Sequence, residues 1–148
     1  MKKYQKIVGI IFIIFSAIGF VDATYLTVQH YNGVIPPCTI DGCEIVLTSP
    51  QSVILGIPVA LLGALYYVTI LILAIAFIDT KNTKLLKVAS YITILGFFAS
   101  LYFVYLQIFV IKNICQYCMV SALTSLVMFL STIFLFYRIK KDKIMSSI

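Results

Sequence analysis

The sequence has few charged residues, and those it has are clustered. Only 11% of its 148 residues are charged and 62% are hydrophobic, whereas a soluble domain is usually about 25% charged and about 45–50% apolar. This lack of charge excludes an ordinary soluble domain. The sequence also lacks low-complexity segments, flexible linkers and a soluble second unit, so we expect a single integral membrane domain over residues 1–148.

Four apolar stretches are long enough to cross a bilayer, which takes about 20 residues. They are Ile7–Val28, Pro58–Phe77, Val88–Ile111 and Ile114–Tyr137. They lack the alternation of polar and apolar residues that is typical of membrane β-barrels. Because lipid satisfies no backbone polar group, each stretch is expected to be a helix. The sequence therefore predicts an all-α membrane protein, a four-transmembrane-helix bundle with a long outer loop between helices one and two.

The basic residues indicate how this bundle is oriented. With four spans, both termini and the Asp79–Lys87 turn share one side, which holds all eleven basic residues except Lys112. The positive-inside rule places that side in the cytoplasm. We therefore expect a multi-pass protein of the cell (cytoplasmic) membrane with both termini inside. The basic balance is a topology signal and predicts no nucleic-acid partner.

The first apolar stretch has a second interpretation. A pair of lysines, an apolar run and Val21-Asp22-Ala23 also fit a signal peptide with a small-residue cleavage site. The apolar run continues to Val28, beyond the usual length of a signal core, which favours a retained span. Cleavage would leave the other three spans in the same orientation.

The four cysteines form two close pairs, Cys38 with Cys43 and Cys115 with Cys118. The predicted topology places all four at the outer face, where disulfides persist. Cys115 and Cys118 lie at the expected start of the fourth helix, where the helix dipole and unpaired N–H groups favour a reactive thiolate. The other pair lies in the flexible outer loop. A mobile pair beside a helix-anchored pair is what electron transfer by thiol–disulfide exchange requires.

The residues alone leave three interpretations of these cysteines open. A redox relay is favoured, because a structural staple has little reason to be buried at the lipid boundary. Two structural disulfides would use the same four residues in a non-enzymatic membrane scaffold or transporter subunit. Two cysteine pairs also have the spacing of a zinc site, although we predict no metal.

Small residues at intervals of four predict where helices approach closely. Gly56, Ala60 and Ala64 recur at this spacing in the second predicted span, as do Gly96 and Ser100 in the third. Such stripes let the backbones of membrane helices come together.

Several segments around the cysteines form a specific combination. They are Tyr25–Tyr31, Cys43–Ser49, Leu55–Tyr67 and the Cys115-Gln-Tyr-Cys118 start of the fourth span. This combination resembles the bacterial and archaeal branch of the vitamin K epoxide reductase family. The resemblance covers nearly the whole chain, between residues 8 and 135.

The resemblance implies a four-helix bundle around a quinone, capped by the outer loop and a short half-helix. The implied function is a membrane dithiol:quinone oxidoreductase that drives disulfide-bond formation. Ubiquinone or menaquinone would be the electron acceptor. Many family members carry a fused thioredoxin-like domain, and this sequence stops at Ile148, so we expect a separate thioredoxin-fold (DsbA-like) protein as the thiol partner.

The resemblance also implies roles for individual residues. Cys38 would exchange with the partner, Cys43 would attack Cys115, and Cys118 would face the quinone. Ser49 matches a family Ser/Thr position whose hydroxyl would hydrogen-bond the quinone or a cysteine sulfur, although Ser49-Pro50 equally fits a helix N-cap followed by a first-turn proline.

Two further positions bear on quinone chemistry. Asp22 is the one acid inside a predicted span and is a candidate proton relay, because ionisable groups inside membranes are usually functional and quinone reduction needs protons. Ala122 stands where the animal enzymes of the family have a tyrosine that helps to hold vitamin K. This departure argues against epoxide reduction.

Overall fold

The computed structural model describes residues 2–146, and most of them are helical. The helices in this part of the chain are α1 (Lys3–Asn32), α2 (Cys43–Leu47), α3 (Val59–Thr80), α4 (Thr83–Tyr105) and α5 (Gln116–Met145). Four helices are long and apolar enough to cross a membrane: α1, α3, α5, and α4 extended to Ile111. The predicted four-helix membrane bundle is confirmed, and the chain is a multi-pass membrane protein.

The long helices extend beyond the apolar spans predicted from the sequence. The first begins at Lys3 rather than Ile7, and the last ends at Met145 rather than Tyr137. Backbone hydrogen bonding does not stop where hydropathy falls, so a helix continues into the headgroup region. There the long basic side chains keep their charges in water while their stems cover apolar surface.

Close packing within the bundle depends on glycines facing tyrosine rings. α1 packs against α3 and α5, and α4 packs against the same two helices. A Cβ on Gly19 would overlap the ring of Tyr67, and one on Gly96 would overlap the ring of Tyr66. The predicted close approach is therefore seen at Gly96. It was wrong for Gly56, which lies in a turn outside the helices, with φ +83°.

The segment between α1 and α3, residues 33–58, contains several short elements and is called the outer segment. α2 corresponds to the expected half-helix, and a 3₁₀ turn over Pro50–Ser52 follows it. Strands β1 (Val53–Ile54) and β2 (Ile57–Pro58) then form an antiparallel hairpin. Its two turn residues, Leu55 and Gly56, both have positive φ, as type I′ hairpin turns require. The sequence did not predict this hairpin, because Leu-Gly lacks the Asn-Gly or Asp-Gly signature.

A π-helical turn over Leu106–Ile111 continues from α4, and Lys112 ends it with φ +57°. Single π turns within α-helices are often found at functional sites. This one contacts α2, so it lies under the outer segment and leads directly into the second cysteine pair.

The opposite end of the bundle is closed by a small polar network. The Lys2 Nζ donates to the Asp142 Oδ2 at 2.6 Å, and the Tyr4 hydroxyl donates to the same oxygen at 2.8 Å. These bonds connect the start of α1 to the last turns of α5. They close the bundle at the end away from the cysteines.

Candidate active site

A disulfide joins the loop after α1 to the first residue of α2. Cys38 and Cys43 are bonded, and their Cα atoms are 6.3 Å apart. Gly42 precedes α2 with φ +105°, a backbone conformation that favours glycine, and a Cβ there would lie 2.7 Å from the Asn113 Oδ1. Cys43 is 1% exposed, whereas Cys38 is half-buried. A thiol in water therefore reaches this disulfide at Cys38.

The second cysteine pair lies at the start of α5, as the sequence predicts. Cys115 immediately precedes the first turn, and Cys118 lies within it. Both are free thiols, with Cys115 buried and Cys118 half-buried. The Cys43 Sγ lies 3.5 Å from the Cys115 Sγ. Thiol–disulfide exchange needs such a direct approach of one sulfur to another, so the geometry connects the two pairs through Cys43 and Cys115.

Hydrogen bonds to its sulfur make Cys115 unusually acidic. The Cys118 thiol and the backbone N–H groups of Cys118 and Tyr117 lower the pKa of Cys115 to about 7, with the Cys118 thiol as the largest cause. Burial opposes this shift, because desolvation disfavours the charged thiolate. Above about pH 7 Cys115 is therefore mostly thiolate, which is the form that attacks or leaves in exchange reactions.

A buried glutamine that the sequence analysis missed connects the π turn to this pair. Gln107 is 3% exposed, and its Oε1 accepts the backbone N–H of Cys115 at 2.9 Å. Gln107 also lines the cavity that Cys118 faces. The backbone carbonyl of Gln107 accepts the N–H of Asn113 at 3.1 Å, which fixes the turn before Cys115. The one signal in the sequence is an amide side chain within an apolar stretch.

A cavity of about 910 Å³ opens beside Cys118, between the four long helices and the outer segment. Its lining is mostly apolar, and the polar groups in it include Asp22, Ser49, Tyr66 and Gln107. Ligand sites in proteins are typically about 300–1,000 Å³, largely apolar, with a few placed polar groups. The cavity therefore suits a mostly apolar ligand with some hydrogen-bonding atoms.

Asp22, the candidate proton relay, and Ser49, the candidate quinone ligand, both line this cavity. Among the described residues, the Asp22 Oδ2 is buried without a hydrogen-bond partner. The Ser49 hydroxyl donates to the Val46 carbonyl at 2.7 Å. Ser49 also directly precedes the 3₁₀ turn that Pro50 begins, without a capping bond from its side chain. Its oxygen can still accept a hydrogen bond.

Ala122 lines the cavity as well, so the missing tyrosine hydroxyl would have pointed to this space from α5. The nearby phenols come from α3 instead. Tyr66 lines the cavity, and the Tyr67 hydroxyl is tied to α5 through the Thr124 hydroxyl at 2.8 Å. Neither tyrosine was predicted from the sequence to have a role at the site.

The zinc interpretation depends on how many thiolates are available. Cys38 and Cys43 are joined in a disulfide, and only thiolates bind metal. Within residues 2–146, no three His, Cys, Asp or Glu side chains are grouped to hold a metal ion.

Comparison with protein families adds to this geometry. The family model described as "Vitamin K epoxide reductase family" matches residues 10–133. The matched region contains all four cysteines, Gln107 and the residues that line the cavity. The comparison with curated proteins found no match.

Proposed function

The chain belongs to the vitamin K epoxide reductase family, and from this premise we propose that it is a membrane dithiol:quinone oxidoreductase. It takes electrons from a separate thioredoxin-fold protein on the extracytoplasmic side and passes them to a quinone, which drives disulfide-bond formation. The carrying observation is the 3.5 Å contact between the sulfurs of Cys43 and Cys115. It connects a disulfide that water can reach to a thiol pair beside an apolar cavity.

The outer disulfide receives the electrons first. A thiolate of the partner attacks the Cys38 sulfur, the bond between Cys38 and Cys43 breaks, and Cys43 leaves as a thiolate. The second thiol of the partner then attacks the mixed disulfide and releases Cys38. The partner leaves with a new disulfide. The greater exposure of Cys38 supports this choice of sulfur.

The electrons then move to the inner pair. The Cys43 thiolate attacks Cys115 in a Cys115–Cys118 disulfide, and Cys118 leaves as a thiolate. Cys38 next attacks Cys43, which reforms the outer disulfide and releases Cys115 as a thiolate. These exchange steps end with an outer disulfide and two inner thiols, which is also the state of the cysteines in the structure.

A quinone in the cavity supplies the two-electron acceptor that reoxidises Cys115 and Cys118 to a disulfide. Both ubiquinone and menaquinone have the required chemistry. The unpaired Asp22 oxygen supports a role for this carboxyl in handing protons to the site. A quinone carbonyl needs a hydrogen-bond donor, and the Ser49 hydroxyl already donates to Val46. The Ser49 oxygen can still accept a hydrogen bond, and to donate to a quinone the hydroxyl would have to release the Val46 carbonyl.

The orientation forms part of the proposal. Basic residues on the side of both termini place that side in the cytoplasm and all four cysteines outside. In intact cells, a membrane-impermeant maleimide should label Cys38 after mild reduction. A single cysteine placed at Lys84 in a cysteine-free chain should stay unlabelled until the cells are opened. Labelling of the Lys84→Cys position in intact cells would reverse the orientation.

The function is tested with purified protein in detergent, a reduced thioredoxin-fold protein and a water-soluble quinone, with quinone absorbance as the readout. We expect steady quinone reduction by the wild type and none by Cys118→Ala, which keeps the outer disulfide. If neither ubiquinone nor menaquinone analogues are reduced while the outer disulfide is intact, the chain is instead a membrane scaffold or transporter subunit with a structural disulfide.

A further inference from the structure

The two residues between the inner cysteines hold the loop that carries Cys38. The Tyr117 hydroxyl donates to the Pro37 carbonyl at 2.8 Å. The Gln116 Oε1 accepts the Thr39 N–H at 3.1 Å and the Thr39 hydroxyl at 2.6 Å. Both chain neighbours of Cys38 are therefore tied to the first turn of α5. We call these contacts, among Pro37, Thr39, Gln116 and Tyr117, the loop clamp.

We propose that the loop clamp consists of positioning residues that keep Cys38 beside Cys43 while Cys43 is bridged to Cys115. The inference rests on the proposed function and assigns the clamp to one step of it. That step is the resolution of the Cys43–Cys115 bridge by Cys38.

The two outer cysteines differ in what holds them. Cys43 begins a helix, is 1% exposed and packs in a buried cluster with Val46 and Cys115. Cys38 lies in a stretch without helix or strand. Its disulfide to Cys43 is the covalent tie to that cluster, and the relay has to open this bond. Once the bond is open, the clamp hydrogen bonds still connect the loop to α5.

The resolving step needs no external oxidant or reductant. The Cys38 thiolate, its proton released to water at the outer face, attacks the Cys43 sulfur. The Cys38–Cys43 bond forms, the Cys43–Cys115 bond breaks, and Cys115 leaves as a thiolate. The rate of such an internal reaction depends on how closely the reacting groups are held. A loop tied to α5 keeps Cys38 close to a sulfur that is bonded to the same helix.

The clamp can be loosened without touching a cysteine. Thr39→Val with Tyr117→Phe removes both hydroxyl donors and leaves Gln116 in place. We expect resolution to slow about fivefold, the effect of losing roughly one net hydrogen bond, so that the bridged form accumulates. Thr39→Ser keeps the hydroxyl and should behave like the wild type. Thr69→Val, whose hydroxyl bonds only within α3 to the Leu65 carbonyl, controls for the loss of a threonine hydroxyl.

The experiment starts from fully reduced protein in detergent with one equivalent of a water-soluble quinone. Samples are quenched in acid at successive times, free thiols are blocked, and the Cys43–Cys115-linked peptide is quantified by mass spectrometry. We expect the linked peptide to accumulate in the double variant. In the wild type and Thr39→Ser it should decay rapidly. Equal decay in all of them would overturn the proposal. Tyr117→Phe alone serves if the double variant does not fold.

A second measurement separates this inference from quinone use. In fully reduced protein without quinone, we expect iodoacetamide to alkylate Cys38 several-fold faster in the double variant, relative to Cys43. An unchanged ratio would overturn the positioning role. If the quinone oxidised no cysteine even in the wild type, the proposed function would fall, and the alkylation ratio would still decide whether the clamp holds Cys38.

Discussion

At each end of the bundle a buried glutamine accepts a backbone N–H at the start of a long helix, but the two glutamines do different things. At the end with both termini, the Gln5 Oε1 accepts the N–H of Lys2 at 2.9 Å. At the outer end, the Gln107 Oε1 accepts the N–H of Cys115 at the same distance, 2.9 Å. Gln5 caps the helix to which it belongs. Gln107 reaches from the preceding π turn to the start of a different helix, where its partner is a cysteine.

The two ends also differ in how many residues have left-handed backbone. Of the residues with left-handed backbone in the described chain, only Lys81 lies at the end with both termini, and the others lie in the outer segment or the turn before α5. Irregular backbone near a membrane is tolerated where it is buried in protein or lines a cavity. Apart from Lys81, the left-handed residues therefore lie near the cysteines and the cavity.

The largest difference in turnover between changes at the two ends should come from removing the Cys43 sulfur, which joins the two cysteine pairs. Cys43→Ala should lower turnover with the thiol partner by about a thousandfold or more, as is usual for the loss of a nucleophile. A prereduced inner pair should still reduce one equivalent of quinone in a single turnover. Retained steady-state turnover in this variant would show that electrons bypass the Cys43–Cys115 contact.

Asp22→Asn should produce the next largest effect. Losing a group that transfers protons typically lowers the rate by about 10²–10⁴-fold. We expect the loss in the rate of quinone reduction to lie at the low end of this range, because water reaches the outer face. The single-turnover rate from the prereduced inner pair is the measurement. Asp22→Glu should recover part of the rate. Unchanged quinone turnover in Asp22→Asn would rule out the proton relay.

The two glutamines give a matched test of the two ends. Gln107→Leu leaves the Cys115 N–H buried and unpaired, which should slow turnover about tenfold, or about 1.4 kcal/mol. Gln5→Leu removes the same kind of bond at the end with both termini and should leave turnover unchanged. Steady-state quinone reduction by both variants is the readout. Equal losses in the two would mean that Gln107 acts through stability alone.

A smaller effect is expected in the titration of Cys115. Because its pKa is lowered to about 7, the thiolate should appear as pH rises through about 7, and the ultraviolet absorbance of thiolate measures it, with Cys115→Ala as the baseline. Cys118→Ala removes the largest cause of the shift. In that variant the midpoint should move up towards the ordinary value. A midpoint that stayed in place would assign the acidity to the backbone N–H groups.

The smallest effect is expected at the polar network of Lys2, Tyr4 and Asp142. Asp142→Asn removes the charge that Lys2 and Tyr4 contact, but the pair is at the surface, where such ion pairs contribute little. Turnover should stay at the wild-type level, and the denaturant midpoint should move only slightly. A marked loss of quinone reduction would show that this end also takes part in the chemistry.

The membrane helices and the location of the cysteines were predictable because they depend on local properties. Hydropathy over about 20 residues decides whether a segment crosses a bilayer. Cys115 and Cys118 fall at a helix start simply because they directly follow a turn between two such segments. The small-residue spacing was a weaker guide, since it identified Gly96 but placed Gly56 in a helix interface instead of a hairpin turn.

The contacts of the site could not be predicted in this way. The sulfurs of Cys43 and Cys115 meet although the residues are 72 positions apart, and Thr39 meets Gln116 across 77 positions. Such contacts depend on how separate helices are arranged, which neither hydropathy nor cysteine spacing determines. Gln107 shows the same limit. Its place in the sequence marks it as polar, while the π turn gives it Cys115 as a partner.

The burial of Cys43 and Cys115, 1% and 0% exposed, has a consequence for selectivity. In the proposed relay, a small thiol dissolved in water can attack the Cys38–Cys43 disulfide only at Cys38, and a monothiol lacks the second thiol that a dithiol partner uses to complete the exchange. The two buried sulfurs would pass electrons from this disulfide towards the cavity without being exposed to water themselves. The proposed relay would therefore connect thiols in water with quinones in lipid for a partner that fits the surroundings of Cys38, and it would exclude other thiols.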